Sequence, residues 1–138
     1  MKPNLTEDLR PFRVLLAEDD NELRRLLATC LRNDGFEVIE ASDCGYLIYC
    51  LSFSEADYPD HVLPDIIVSD NRMPGMTGLE ALEGLRKADW ATPFILITAF
   101  GDEATHAEAL RLGAAAVFDK PFDVRELRRS VMAHALVG

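Results

Sequence analysis

Five short apolar runs, separated by stretches of helical periodicity, organise this chain. The first, Phe12 to Ala17 (FRVLLA), is almost continuously apolar, the pattern of a strand covered on both faces. From Glu22 onward the spacing changes, and Leu23, Leu26, Leu27, Cys30 and Leu31 fall on one face of a helix. Asn33-Asp34-Gly35 ends that helix, with Gly35 suited to the left-handed conformation past a helix terminus. Phe36 to Glu40 (FEVIE) predicts a second strand. Asp43 to about Ser52 predicts a second helix of low propensity, because Gly45, Tyr46, Ile48, Tyr49 and Cys50 are poor helix formers.

Phe53 to Pro64 (FSEADYPDHVLP) is polar, carries two prolines and predicts a long surface loop, read as a tolerated insertion. Asp65 to Ser69 (DIIVS) is the third strand. Thr77-Gly78-Leu79-Glu80 has the form of a capping box, with Leu79, Leu82 and Leu85 as the face of the helix it opens. Phe94 to Thr98 (FILIT) is the fourth strand, Asp102 to Leu112 an alanine-rich helix ended by Gly113, and Ala115 to Phe118 (AAVF) the fifth strand. Asp123, with Glu126 three residues on, opens a last helix with Val124, Leu127, Val131 and Ala135 on its apolar face. Continuous apolar strands alternating with helices predict a doubly wound α/β domain: a parallel sheet covered on both faces and joined by right-handed crossovers.

Length and charge narrow the function classes. The 138 residues suit one domain, read as residues 12–138 behind a leader of residues 1–11. Lys and Arg number 14 against 24 Asp and Glu, a formal charge of −10 that repels phosphate backbones and anionic lipid, so neither direct nucleic-acid binding nor a membrane role is expected. No apolar run approaches the ~18 residues of a membrane helix, and the N-terminal residues lack a signal-peptide pattern, so a cytoplasmic location is expected. Cys30, Cys44 and Cys50 are odd in number and lack CxxC spacing, which points to free thiols.

In a doubly wound sheet, ligands bind at the carboxyl ends of the strands. Glu18, Asp19 and Asp20 follow strand one, Asp70 follows strand three, Thr98 ends strand four, and Lys120 and Pro121 follow strand five. Asp20 reads as the N-cap of the first helix. Glu18, Asp19 and Asp70 would place three carboxylates in one cleft, a repulsion that a lysine or a divalent cation must offset. Hard oxygen ligands with open positions suit Mg²⁺. Lys120 offers a point charge and Thr98 a hydroxyl donor for phosphoryl oxygens. With no cysteine or histidine at this edge, the nucleophile of such chemistry is a carboxylate, and Asp70 on the middle strand is best placed.

The series LLAEDDNE, DIIVSDNRMPGMTG, ILITAF and FDKPF closely resembles the receiver domains of two-component response regulators, over about residues 12 to 136. The resemblance implies a flavodoxin-like sheet of order 2-1-3-4-5 with five flanking helices. It implies Asp70 as phosphoacceptor, Glu18 and Asp19 as the acidic pair holding Mg²⁺ with Asp70, and the main-chain carbonyl of Arg72 as a further metal ligand. Thr98 resembles the switch hydroxyl, and Lys120 the lysine of the phosphoryl site, with a cis bond to Pro121. The implied partners are a histidine kinase or histidine phosphotransfer protein and an output partner at the surface of helix four, strand five and helix five. The implied chemistry is self-catalysed phosphotransfer and dephosphorylation, without an enzyme's separate substrate.

This chain departs from that pattern at Val117, where receivers commonly carry Tyr or Phe, and alternation points Phe118 to the opposite face. Coupling is therefore expected through Thr98 and the segment from Ala99 to Asp102, with Phe100-Gly101 as its flexible part. A Mg²⁺-dependent phosphatase of the haloacid dehalogenase type is the alternative, but it places a second Asp where this chain has Arg72. A phosphorylation-independent pseudo-receiver would be expected to lack Asp70, Lys120 or the acidic pair, and all are present. His61, His106 and His134 are read as surface or half-buried residues, Trp90 as a cap on the core, and Arg125, Arg128 and Arg129 as a solvated helix face.

Overall fold

Each of the five apolar runs forms a strand in the computed structural model, which describes residues 11–43, 45, 64–99 and 102–137. The strands are β1 Arg13–Ala17, β2 Glu37–Ala41, β3 Ile66–Asp70, β4 Phe94–Ala99 and β5 Ala116–Lys120. They build one parallel sheet in the order β2-β1-β3-β4-β5, as the resemblance implied. Chain order reverses direction between β1 and β3, so the crossovers lie on opposite faces and open a crevice at the strands' carboxyl ends.

Four helices are described: α1 Asn21–Asn33, α2 Gly78–Lys87, α3 Glu103–Arg111 and α4 Val124–Val137. They correspond to the first, third, fourth and fifth predicted helices. The second predicted helix lies outside the described residues except for Asp43 and Gly45, and the predicted loop does so up to the buried Pro64. None of the described helices is long and apolar enough to cross a membrane.

Strand alternation sorts the core into two layers. Leu15, Ile67, Phe94 and Leu96 pack against Ala81, Leu82 and Leu85 of α2 and Ala109 of α3. Val14, Leu16, Ile66, Val68, Ile95 and Ile97 face Leu27 and Leu31 of α1 and Leu127 and Val131 of α4. Each fully buried side chain of this size contributes about 1.5–3 kcal/mol by leaving water. β5 is an edge strand, and all five of its residues are only half-buried.

Local chemistry sets the helix ends. The Asp20 carboxylate accepts from the N–H groups of Glu22 and Leu23, as its N-cap reading required. Thr77 and Glu80 close the predicted capping box, and Gly35 takes a φ of +97° past α1. Arg86 of α2 has partners no pattern shows: Nε donates to the Leu112 carbonyl at 3.0 Å and Nη2 to that of Gly113 at 3.2 Å, while Nη1 reaches the Trp90 and Thr92 carbonyls at 2.7 and 3.1 Å. One guanidinium thus ties α2 to the C-terminal end of α3 and to the approach to β4.

Candidate functional site

β1, β3, β4 and β5 deliver their last polar residues to one edge of the sheet. Glu18 continues the ladder beyond β1, its N–H donating to the Ala41 carbonyl at 3.0 Å. That backbone bond carries the Glu18 side chain into the interior, where the residue has no solvent exposure. Asp70, predicted to follow β3, is its last residue, because its pairing with Ile97 extends the strand by one position. It is 5% exposed. Thr98, buried in β4, lies one residue beyond the register partner of Asp70. Lys120 ends β5, which runs two residues past its predicted end by pairing with β4 as far as Ala99.

The lysine stands between the two buried carboxylates. Its Nζ is 3.0 Å from Glu18 Oε1 and donates to Asp70 Oδ2 at 3.2 Å. Glu18 Oε2 accepts the N–H of Asp20 at 3.1 Å. Oε1 is fully buried without a well-formed hydrogen bond, since Lys120 is near but off line. Asp19 is exposed at the mouth, and carboxylate oxygens of Glu18, Asp19 and Asp70 all lie within 4.8 Å of one another. Arg72 occupies the exposed turn that leads from Asp70 to α2.

Burial is the main reason the Glu18 carboxyl holds its proton up to about 7, and the neighbouring Asp70 charge pushes the same way. The Asp20 N–H and Lys120 oppose this without cancelling it. For Lys120, burial acts to lower the pKa, but the close carboxylates of Glu18 and Asp70 outweigh it and raise the value. The three carboxylates and one ammonium leave the pocket short of positive charge. An orphaned buried carboxylate oxygen facing two other carboxylates fits a hard divalent cation.

Two backbone features hold this floor in place. The Asn71 carbonyl and side-chain Oδ1 accept from the N–H groups of Gly78 and Leu79, each at 3.0 Å, which folds the start of α2 beneath Asp70. A Cβ at Gly78 would stand 2.6 Å from the Asp70 carbonyl oxygen and 2.9 Å from Leu96 Cδ1, so only glycine permits this approach.

Residues 14–132 match the response regulator receiver domain family. The chain belongs to that family. It is thus the receiver domain of a two-component response regulator. The receiver is 36% identical to Regulatory protein AtoC of Escherichia coli (strain K12) over 115 residues, covering 83% of this chain and 23% of that relative. It is 29% identical to Sporulation initiation phosphotransferase F of Bacillus subtilis (strain 168) over 119 residues, 86% of this chain and 90% of that protein. The receiver domain of the Francisella response regulator 1452 superposes with a TM-score of 0.79 at 26% identity, covering 94% of this chain and all of that one.

Other sequence expectations find their places in the receiver. The Lys120-Pro121 bond is cis. Val117 packs on the α2 and α3 side of the sheet and Phe118 on the α1 and α4 side, as alternation required. Trp90 packs against the core beside α2, Cys30 is a free thiol, and among the described residues His134 bonds within its own helix, to the Ser130 carbonyl. Arg125 pairs with Asp123, whereas Arg128 leaves the solvated role it was given and forks onto Asp34 at the end of α1 at 2.8 and 2.6 Å. His61, Cys44, Cys50, Phe100 and Gly101 lie outside the described residues. The sequence reading missed the partner of His106, whose Nε2 lies 2.6 Å from Asp119 Oδ1.

Proposed function

We propose that this receiver accepts a phosphoryl group onto Asp70 from the phosphohistidine of a histidine kinase or histidine phosphotransfer protein. The carrying observation is Asp70 itself: a buried carboxylate at the end of the central strand, bonded to Lys120 and within 4.8 Å of two further carboxylates. An Asp70 carboxylate oxygen attacks phosphorus, the phosphorus–nitrogen bond breaks, and the imidazole leaves with the bonding electron pair. Lys120 balances charge gathering on the phosphoryl oxygens, and the Thr98 hydroxyl donates to one of them. Glu18, Asp19, Asp70 and the main-chain carbonyl of Arg72 are the residues that would hold Mg²⁺, which supplies Lewis-acid neutralisation of the phosphoryl charge.

Attack of water on the acyl phosphate returns Asp70 to its free form, so the domain acts on itself and turns over no separate substrate. The readout is a change of partner binding at the surface formed by α3, β5 and α4. Incubation with acetyl phosphate and Mg²⁺ tests the reading by intact mass and peptide mapping. One phosphoryl group on Asp70, lost in chelator and in Asp70→Asn, is the expected result; no labelling of the parent, or full labelling of Asp70→Asn at another residue, overturns it.

A further inference from the structure

His106 and Asp119 meet beside the phosphoryl site without belonging to it. Asp119 is the register partner of Thr98 across the β4–β5 ladder and the covalent neighbour of Lys120. It is therefore attached to both residues assigned to the phosphoryl oxygens. Its side chain shares the sheet face of Val117, the face that α3 covers. His106 stands one turn before the buried Ala109 on α3, on the same side of that helix. Its imidazole N–H donates to the Asp119 carboxylate, an acceptor-only group when ionised.

Among the described residues this is the one side-chain hydrogen bond that joins α3 to the sheet. The N-terminal turn to which it is fixed holds its own shape: Asp102 accepts from the Thr105 N–H at 3.1 Å and from its hydroxyl at 2.7 Å. A displacement of the β4 and β5 ends thus reaches a preformed helical turn through one short contact. Val117, the neighbouring β5 residue on this face, has only methyl groups and makes no such link.

We propose that His106 and Asp119 are positioning residues that carry the state of the phosphoryl site to α3. The proposal rests on Asp70 as phosphoacceptor and Thr98 as a phosphoryl ligand. With the pair intact, movement of Thr98 and Lys120 towards a phosphoryl group takes Asp119 with it, and Asp119 takes the first turn of α3. Without the pair, the site fills and α3 does not follow. A bond that merely supports the fold lowers stability when removed but leaves the response of α3 as it was.

Amide chemical shifts with and without beryllium fluoride and Mg²⁺ separate these cases, alongside acetyl phosphate labelling of Asp70. In His106→Ala and in Asp119→Ala, residues around Asp70 should respond and label as in the parent, while residues 103–111 lose most of their response. The double variant should lose no more than either single one. His106→Gln, which keeps an N–H donor, should restore much of the α3 response. The α3 residues responding in both alanine variants as in the parent overturns the proposal and leaves the phosphoacceptor reading standing. A parent that neither labels nor responds at Asp70 overturns that reading and the coupling with it.

Discussion

The Lys120 ammonium lies 3.0 Å from Oε1 of Glu18, a carboxylate wholly shut away from solvent. The lysine does not satisfy it, because Nζ donates to Asp70 while making no well-formed hydrogen bond to this oxygen. Burial of a second acid beside one shared cation makes the ionised pocket costly until further positive charge arrives.

That cost sets a pH dependence. Glu18 keeps its proton up to about 7 in the folded chain against an ordinary 4.5, so the folded state binds more protons between these values. Its contribution to stability is fully present below 4.5 and is lost as pH rises through about 7. In chelator, the unfolding free energy from denaturant titration should therefore fall across this window, by no more than about 3–4 kcal/mol from this group. Glu18→Gln should flatten the decline; an equal slope in that variant would assign it elsewhere.

Mg²⁺ should compete with the same proton. Its affinity should increase as pH is raised through about 7, where Glu18 ionises. Asp19→Ala removes a hard ligand from the mouth and should weaken binding by roughly tenfold or more at any one pH. Isothermal titration of Mg²⁺ into the two proteins measures both effects, and parent-like affinity in Asp19→Ala would show the wrong carboxylates assigned.

Gly78→Ala should damage stability and site together. The added methyl meets the Asp70 carbonyl oxygen, Leu96 Cδ1 and Ser69 Oγ at 3.0 Å or less. Relief requires α2 to retreat from β3, a cost of about 1–3 kcal/mol. Thermal unfolding and Asp70 labelling rate should both fall; a variant unchanged in both would mean that α2 yields without strain.

Arg86→Met keeps much of the apolar stem but leaves four carbonyls without their shared donor. Burial already holds this guanidinium's pKa below its ordinary value, and no carboxylate accompanies it in the contacts it makes. A loss of roughly 2 kcal/mol is expected by urea denaturation. Because the interaction is with neutral carbonyls, the loss should persist in high salt, whereas a surface ion pair would be screened.

The sheet was legible because apolar runs and glycine stops are local properties. The strand ends were less so: Asp70 and Lys120 read as loop residues, yet each is held in the ladder by a neighbouring strand. The acidic edge was legible because the topology brings every strand's carboxyl end to one place. The burial of Glu18 was not, since it depends on a bond to Ala41 from a different strand. Arg86 escaped notice because main-chain carbonyls carry no sequence pattern. His106 and Asp119 escaped because they lie 13 residues apart on two different elements. Asn71 could have been suspected from its place directly after Asp70, where a short amide often shapes a turn.

The Arg86 clamp also decides how α3 can move. Its carbonyl partners Leu112 and Gly113 lie just past the C-terminal end of the helix, and the buried Ala109 anchors the same half. The opposite end, with Asp102, Thr105 and His106, is the one nearest the β4 terminus. Nine helical residues make a rigid rod of about 13 Å. A rod pinned at its base pivots, and its tip travels farthest for a given rotation. His106 grips β5 one turn short of the Ala109 anchor, between the pinned end and the free one, so a small shift beside Thr98 is enlarged at the tip of α3.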